Sequence, residues 1–373
     1  MKKILFLIHD MGQGGAEKVL INLVNHLDRS KFDISVTALF GGGVNEKFLK
    51  PDIHFRAVFP KNIRGNSHAM KLLSPAQLHA MCVKEHYDVE VSYLEGPSAR
   101  VISGCPSSDT MLIGWIHCTM HSQKDVAASF RSYREAQDCY NRMDRLVFVS
   151  EDVRTQFQKY CPCRVPCLVR HNTNESDAII CKSKEAVFPV ESDSDQKCFR
   201  WCGMGKLVPN KGFDRMIRIQ KKLAEDGYAA QLWILGEGEE RENLKRLVSE
   251  LSLEDSVRFL GYQTNPYRYL AQCDLFACAS HSEGFSTAAT EALLLGIPVC
   301  TVEVSGMKEM LGAENEYGII TENDENALYL GIKELMEHPE QLAYYRQKAE
   351  ERGKMFSTEH TVHEVERLLC GEE

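Results

Sequence analysis

Short apolar runs that end in a glycine-bearing or polar turn and then pass into helical periodicity recur from one end of this chain to the other. Lys3 to His9 is the first. Asp10-Met-Gly-Gln-Gly-Gly-Ala-Glu17 breaks it, and Val19, Leu20, Leu23, Val24 and Leu27 then return at helical spacing. Further strands are expected at Ile34 to Leu39, Phe55 to Phe59, Val89 to Tyr93, Met111 to Ile116, Leu146 to Val149 and Leu168 to Arg170. The second half repeats the pattern at Leu232 to Leu235, Val257 to Leu260, Leu275 to Ala279, Val299 to Val302 and Gly318 to Thr321. Strands that alternate with helices in this way belong to parallel sheets covered on both faces, so the expected fold class is α/β.

At 373 residues the chain exceeds one ordinary core and suits two domains of about 150 to 200 residues each. Periodicity stops near Arg170-His-Asn-Thr-Asn174 and the chain stays polar from Ser176 to Lys197. A linker is therefore expected over 174–197, between a domain at 1–173 and another at 198–354. Charge divides unevenly across that boundary. Residues 1–173 carry 22 Lys and Arg against 17 Asp and Glu, or +5, which leaves 22 against 36, or −14, for the remainder of a chain of net charge −9. The first half is the expected face toward an anionic partner, and the acidic whole, with no basic cluster interleaved with aromatics, speaks against nucleic acid. From Lys61 to His86, Lys61, Arg64, Lys71 and Lys84 alternate with Met70, Leu72, Leu73, Leu78 and Met81. That stretch suits either an anionic membrane surface or a solvated helix with one buried face. No apolar run approaches about 18 residues, the length of a spanning helix. Met1-Lys-Lys leads straight into a strand, which a signal peptide does not, and 14 irregularly spaced cysteines point to a reducing cytosol.

The chemistry concentrates from Phe276 to Pro298. A buried strand breaks at a polar loop and continues into an Ala/Leu helix that stops at Gly296 before Pro298. Glu283 is expected in the loop at the strand's carboxyl end, and Glu291 two turns along the helix on the same side. Between them the N–H groups of Gly284, Phe285, Ser286 and Thr287 are expected to open the helix as an anion site. Cys198 to Phe213 is again strand, glycine loop and helix, now with Lys206 and Lys211 five residues apart. Two ammonium groups at one strand end favour an anion between them. Gly205-Lys206 is followed by Leu, so this is not a P-loop. Each feature alone also arises in α/β proteins without such a site; their company singles them out.

Glu283 and Glu291, with seven residues between, resemble the paired-Glu signature of the retaining glycosyltransferases of GT-B architecture, the family 4-like, group 1 enzymes. Gly14-Gly15 is similar to the family's first loop against the donor phosphates. His117, ending Met111 to Ile116, is similar to its histidine beside the donor sugar. Lys206 and Lys211 resemble its basic pair, with Lys206 where Arg is usual. The resemblance implies two facing Rossmann-like domains with a donor cleft between them, and a carboxyl-terminal helix, 355–373 with Val362, Val365, Leu368 and Leu369, returning to the first domain. It implies transfer of a sugar from a nucleoside-diphosphate sugar, a UDP-sugar being the expectation, to a glycan or lipid-linked saccharide in surface polysaccharide synthesis. Glu283, His117, Lys206 and Lys211 would then be catalytic. Gly14, Gly15, Gly205, Tyr262, Gly284, Phe285, Ser286, Thr287 and Glu291 would hold the donor, with neither metal nor cofactor. The expected location is cytoplasmic, with peripheral contact at the inner membrane face.

Other motifs carry less. Gly12, Gly14 and Gly15 do not form Gly-x-Gly-x-x-Gly and no acidic residue closes a second strand, which disfavours a nicotinamide cofactor; a loop that needs positive φ is the alternative reading of these glycines. Asp193-Ser-Asp195 is read as part of a solvated linker rather than a metal motif. Cys161, Cys163 and Cys167 lack a second ligand pair for zinc, and His121 is a weaker candidate than His117. A nucleotide-sugar epimerase of the same architecture and a non-catalytic sugar-nucleotide-binding subunit stay open as alternatives.

Overall fold

The computed structural model describes residues 1–12, 14–61, 70–186 and 198–372. Arg64 and Asp193-Ser-Asp195 lie outside the described residues. The chain forms two compact units, one of Met1–Asn174 with Thr358–Glu373 and one of Glu175–Ser357.

The first unit is built on a seven-stranded sheet, β1 Lys2–Ile8, β2 Phe32–Phe40, β3 His54–Phe59, β4 Val89–Ser92, β5 Met111–Ile116, β6 Arg145–Phe148 and β7 Cys167–Val169. The strand order is β3-β2-β1-β4-β5-β6-β7, all neighbours parallel. Ile4 to Ile8 are fully buried, as the unbroken apolar run requires of a strand covered on both faces. The helix Gly15–His26 buries Val19, Leu20, Leu23 and Val24. The final helix, Thr358–Cys370, packs beside it and buries Val362, Val365, Leu368 and Leu369. Lys2 Nζ donates to the carbonyls of Leu369 at 3.2 Å and Cys370 at 2.9 Å, a cation on the helix's open carboxyl end. Glu366 accepts from the Asp28 amide at 2.8 Å and pairs with Lys31 at 2.9 Å.

From Met70 to His86 the chain turns much of its apolar surface inward. Pro75–Cys82 is a helix opened by a reciprocal Ser74/Gln77 capping box, and it buries Leu78, His79 and Cys82. Met70 is also buried, while Leu72 is 82% exposed. Arg100, itself buried, holds the neighbouring turn by donating to the carbonyls of Met70 and Leu73 at 2.8 and 2.7 Å while pairing with Glu135 at 2.9 Å.

The second unit holds β8 Phe199–Met204, β9 Ala230–Leu235, β10 Val257–Gly261, β11 Leu275–Cys278, β12 Val299–Val302 and β13 Ile319–Thr321. Their order is β10-β9-β8-β11-β12-β13, again parallel throughout. The helix Phe213–Glu225 lays Met216, Ile217, Ile219 and Leu223 on the core. Gln220 joins them only because its amide is satisfied at both ends, by Trp201 Nε1 at 2.8 Å and the Ala230 carbonyl at 2.7 Å. One expectation needs correction. The polar stretch read as linker begins with a helix, Ser176–Ser183, that packs on the helices Tyr267–Leu270 and Thr287–Leu294 of the second unit and buries Ile179. Asn265 anchors its end through Lys182 O and Glu185, both at 2.9 Å. Polar composition concealed a helix with a narrow apolar face.

Candidate active site

In each sheet the chain order reverses at one place, between β1 and β4 in the first unit and between β8 and β11 in the second. Loops leaving neighbouring strands there depart to opposite faces and open a crevice at the carboxyl ends, where ligands of such sheets bind. Most of the predicted residues fall on those loops, and His117 on the loop of the next strand, β5. Gly205, Lys206 and Lys211 follow β8, Glu283 to Thr287 follow β11, Gly14 and Gly15 follow β1, and His117 follows β5.

In the second unit Lys211 Nζ bonds Glu283 Oε1 at 2.6 Å, and the Ser280 hydroxyl donates to the same oxygen at 2.7 Å. The Glu283 side chain is 10% exposed and that of Lys211 30%. Gly212 brings them together. At φ +66 it caps the helix Phe213–Glu225, and a Cβ there would stand 2.1 Å from the Ala279 carbonyl oxygen, so only glycine lets the lysine loop close on the end of β11. Asn210 secures the contact by donating to the Ser282 carbonyl at 2.8 Å. Lys211 thus meets an anion supplied by the protein, which corrects the expectation of two bare cations. Lys206 is exposed, and its ammonium has no partner among the described residues. Gly205 has φ +156, and its carbonyl lies under Gly236, where a Cβ would come within 1.9 Å.

The helix after β11 starts later than expected. It spans Thr287–Leu294, with Ser286 as N-cap accepting from the Ala289 amide at 3.3 Å. Gly284 and Phe285 therefore precede the first turn, whose amides are those of Thr287, Ala288 and Ala289. The serine won the cap because its hydroxyl satisfies an amide that Gly284 cannot. The Gly284 carbonyl accepts from the Ser305 hydroxyl at 3.1 Å. Glu291 is 5% exposed and accepts from the Tyr267 hydroxyl at 3.1 Å. Tyr262, after Gly261 at φ +67, is 75% exposed.

In the first unit His117 packs against Tyr93 in a tilted arrangement with ring centroids 4.9 Å apart. Its backbone N–H donates to Glu95 at 2.9 Å, and its Nε2 is sealed from solvent without a hydrogen-bond partner among the described residues. Burial lowers the ring's pKa to about 3. An imidazole nitrogen buried and unpartnered is costly unless a ligand hydroxyl completes it. Gly14, the N-cap of Gly15–His26, has φ −81, so positive φ does not explain it. The nearest group to a Gly14 side chain would be the Glu17 carboxylate, the movable end of a flexible side chain, so the fold by itself does not demand glycine there. Burial raises the Glu17 pKa, its own amide lowers it in part, and Asp10 raises it further. His121 is exposed and engaged through its backbone N–H with Asp125 at 3.0 Å.

Sequence reasoning missed Ser280, Tyr267 and Glu95. Ser280 and Glu95 each lie two or three residues past a strand end, the one signal available for them. Tyr267 reaches Glu291 across a fold that no local pattern encodes.

The model of the group 1 glycosyl transferases matches residues 183–352, and that of glycosyltransferase family 4 matches residues 13–185. The lipopolysaccharide core biosynthesis glycosyltransferase LpsD of Rhizobium meliloti is 35% identical over 89% of this chain and 88% of its own. An N-acetylgalactosaminyltransferase of Campylobacter jejuni that acts on a diphospho-undecaprenol-linked saccharide is 27% identical over the full length of both. Among solved structures, Anabaena Alr3699/HepE with UDP superposes at TM-score 0.77 over 99% of this chain and all of its own, at 20% identity. Sucrose-phosphate synthase of Thermosynechococcus elongatus gives 0.76 at 15% identity, over 99% of each chain. The fold is the GT-B fold of glycosyltransferases. The chain belongs to the group 1, family 4-like glycosyltransferases.

Proposed function

We propose that the protein is a retaining glycosyltransferase that moves a sugar from a UDP-sugar to a lipid-linked saccharide or glycan of a surface polysaccharide, at the cytoplasmic face of the membrane. The observation that carries the reading is the Lys211–Glu283–Ser280 cluster on the two strands where the second sheet reverses. Lys206 and Lys211, with the first-turn amides after Ser286, meet the charge that grows on the leaving diphosphate. Gly14 and Gly15 offer their backbone to donor phosphates at the carboxyl end of the first sheet. Gly205, Gly284 and Phe285 shape the phosphate and sugar pocket, and Tyr262 lies where the base runs along the backbone. Glu291 and Tyr267 bind the ribose diol, and Glu283 binds sugar hydroxyls and steadies positive charge at the anomeric carbon. His117 Nε2 accepts from a sugar hydroxyl. The departing phosphate takes the acceptor's proton on the face it leaves, so configuration is kept, and the two ammonium groups make a metal unnecessary for the transfer.

Support for the acceptor comes from the named activities of the relatives, and support for UDP from the ligand of a structural neighbour. Exposed Leu72 beside Lys71, in a first half of charge +5, favours contact with an anionic membrane. Among the described residues no helix is long and apolar enough to cross one. A thermal-shift panel of nucleoside diphosphates and their sugars tests the donor. A ligand at about 100 times its Kd adds about 2.7 kcal/mol of stability, and uridine compounds are expected to shift the melt where guanosine and adenosine compounds do not. Incubating the preferred donor without acceptor must then leave its sugar unchanged; an isomerised sugar would make the protein an epimerase.

A further inference from the structure

Inside the first unit, three buried side chains that the transfer does not use turn their ligating atoms toward one another. His79, Glu90 and Cys105 are 7%, 2% and 2% exposed. His79 Nε2 lies 2.9 Å from Glu90 Oε2, and Cys105 Sγ lies 3.7 Å from Glu90 Oε1. All three ligating atoms fall within 4.8 Å of one another, and among the described residues no other three of His, Cys, Asp and Glu converge so.

Three separate segments deliver them. His79 comes from the capped helix Pro75–Cys82, Glu90 is the second residue of β4, and Cys105 lies just past the helix Pro97–Ile102. A Cβ on Gly104 would stand 2.0 Å from the Pro75 carbonyl oxygen. The start of one helix therefore rests directly on the backbone beside Cys105, and glycine at 104 is what lets the thiol come close to Glu90.

We propose that this triad is a buried zinc site with three protein ligands. Thiolate, imidazole and carboxylate are the donor set of tetrahedral zinc. With metal–ligand bonds of about 2.0 to 2.3 Å, neighbouring ligand atoms around one tetrahedral ion stand about 3.3 to 3.6 Å apart; His79 and Cys105 approach different oxygens of Glu90, at 2.9 and 3.7 Å, so small side-chain shifts bring the three ligand atoms to that spacing. Charge balances as well. A carboxylate buried this deeply needs a compensating charge, and one carboxylate, one thiolate and a neutral imidazole against a divalent ion leave the interior neutral. As zinc enters, two protons leave, one from the Cys105 thiol and one that His79 and Glu90 share, with no change of oxidation state. A water takes the fourth position. Glu90 sits toward the amino-terminal end of β4, away from the loops at the strands' carboxyl ends, so the ion ties a helix, a strand and a turn together and takes no part in the transfer. The inference is independent of which donor or acceptor the enzyme uses.

The full chain, produced in zinc-supplemented cells and dialysed without chelator, is expected to retain about one zinc per chain by mass spectrometry, because the ion is buried with its three protein ligands. Cobalt exchanged into it should show a thiolate-to-cobalt charge-transfer band. Cys105→Ser and His79→Gln should lose metal and band, whereas the double variant Cys161→Ser, Cys163→Ser should keep both. Should either buried variant fail to fold by circular dichroism, the cobalt spectrum of the Cys161/Cys163 double variant decides alone. Failure of apoprotein to take up zinc at equilibrium with excess ion would overturn the site, as would loss of metal from the Cys161/Cys163 variant. The triad is then a hydrogen-bonded one.

Discussion

Lys211 and Glu283 stand 72 positions apart and share one hydrogen bond in a half-buried setting. Lys211→Ala removes both a proposed phosphate ligand and the carboxylate's counter-charge, and these consequences separate experimentally. The turnover rate is expected to fall about 100-fold, by analogy with losing one oxyanion donor; a rate within twofold of wild type would take Lys211 out of the reaction. Adding Glu283→Gln should recover part of the lost melting temperature, because no buried charge is then left unpaired, while recovering no activity. At His117 the sign of the pH effect follows from burial. The folded ring stays neutral down to about 3, whereas the unfolded ring takes a proton below about 6.5. Its contribution is intact above about pH 6.5 and is lost as pH falls, at up to about 1.4 kcal/mol per pH unit. Urea midpoints at pH 7 and pH 5 should therefore drop less for His117→Gln than for wild type; equal drops would assign the acid sensitivity elsewhere.

At the scale of elements, the site depends on how tightly two strand-to-helix connections approach. Gly212 combines φ +66 with a Cβ position 2.1 Å from the Ala279 carbonyl. Gly212→Ala must push the Lys211 loop off the end of β11, and a backbone clash in a left-handed conformation costs on the order of 2 kcal/mol or more. The variant should melt earlier and lose activity together, measured by calorimetry and turnover. Gly227→Ala is the control, since its φ is +84 and nothing lies within 4 Å of the added methyl. It carries the same backbone strain and should cost stability while sparing the rate.

For the whole molecule, the two units differ in how the chain builds them. The second is continuous, Glu175–Ser357, whereas the first needs its last helix from the far end of the sequence. Deleting residues 358–373 strips the carbonyl partners of Lys2 and the Glu366 partner of Lys31 and uncovers the helix Gly15–His26. The first unit should then lose its cooperative melt, while 175–357 made alone should still fold and give dispersed amide spectra. A collapsed spectrum from 175–357 would show that the second unit cannot stand by itself.

Most of the thirteen strands were legible because a strand buried on both faces must be apolar without break, and such runs survive in the order of residues; the return of the last helix to the first unit was implied by the family resemblance. So was the placement of Lys211, Glu283, Gly14 and His117 at strand ends, since a strand's end is a local event. The start of the helix at Thr287 was not legible to within two residues, because Ser286 and Gly284 compete for the cap and only the packed loop chose between them. Nor was the pairing of Lys211 with Glu283, of Glu291 with Tyr267, or of His79 with Glu90 and Cys105. Each joins residues whose distance is set by strand order and by the close approach of backbones at Gly212 and Gly104, and strand order is a property of the folded sheet that no stretch of sequence contains.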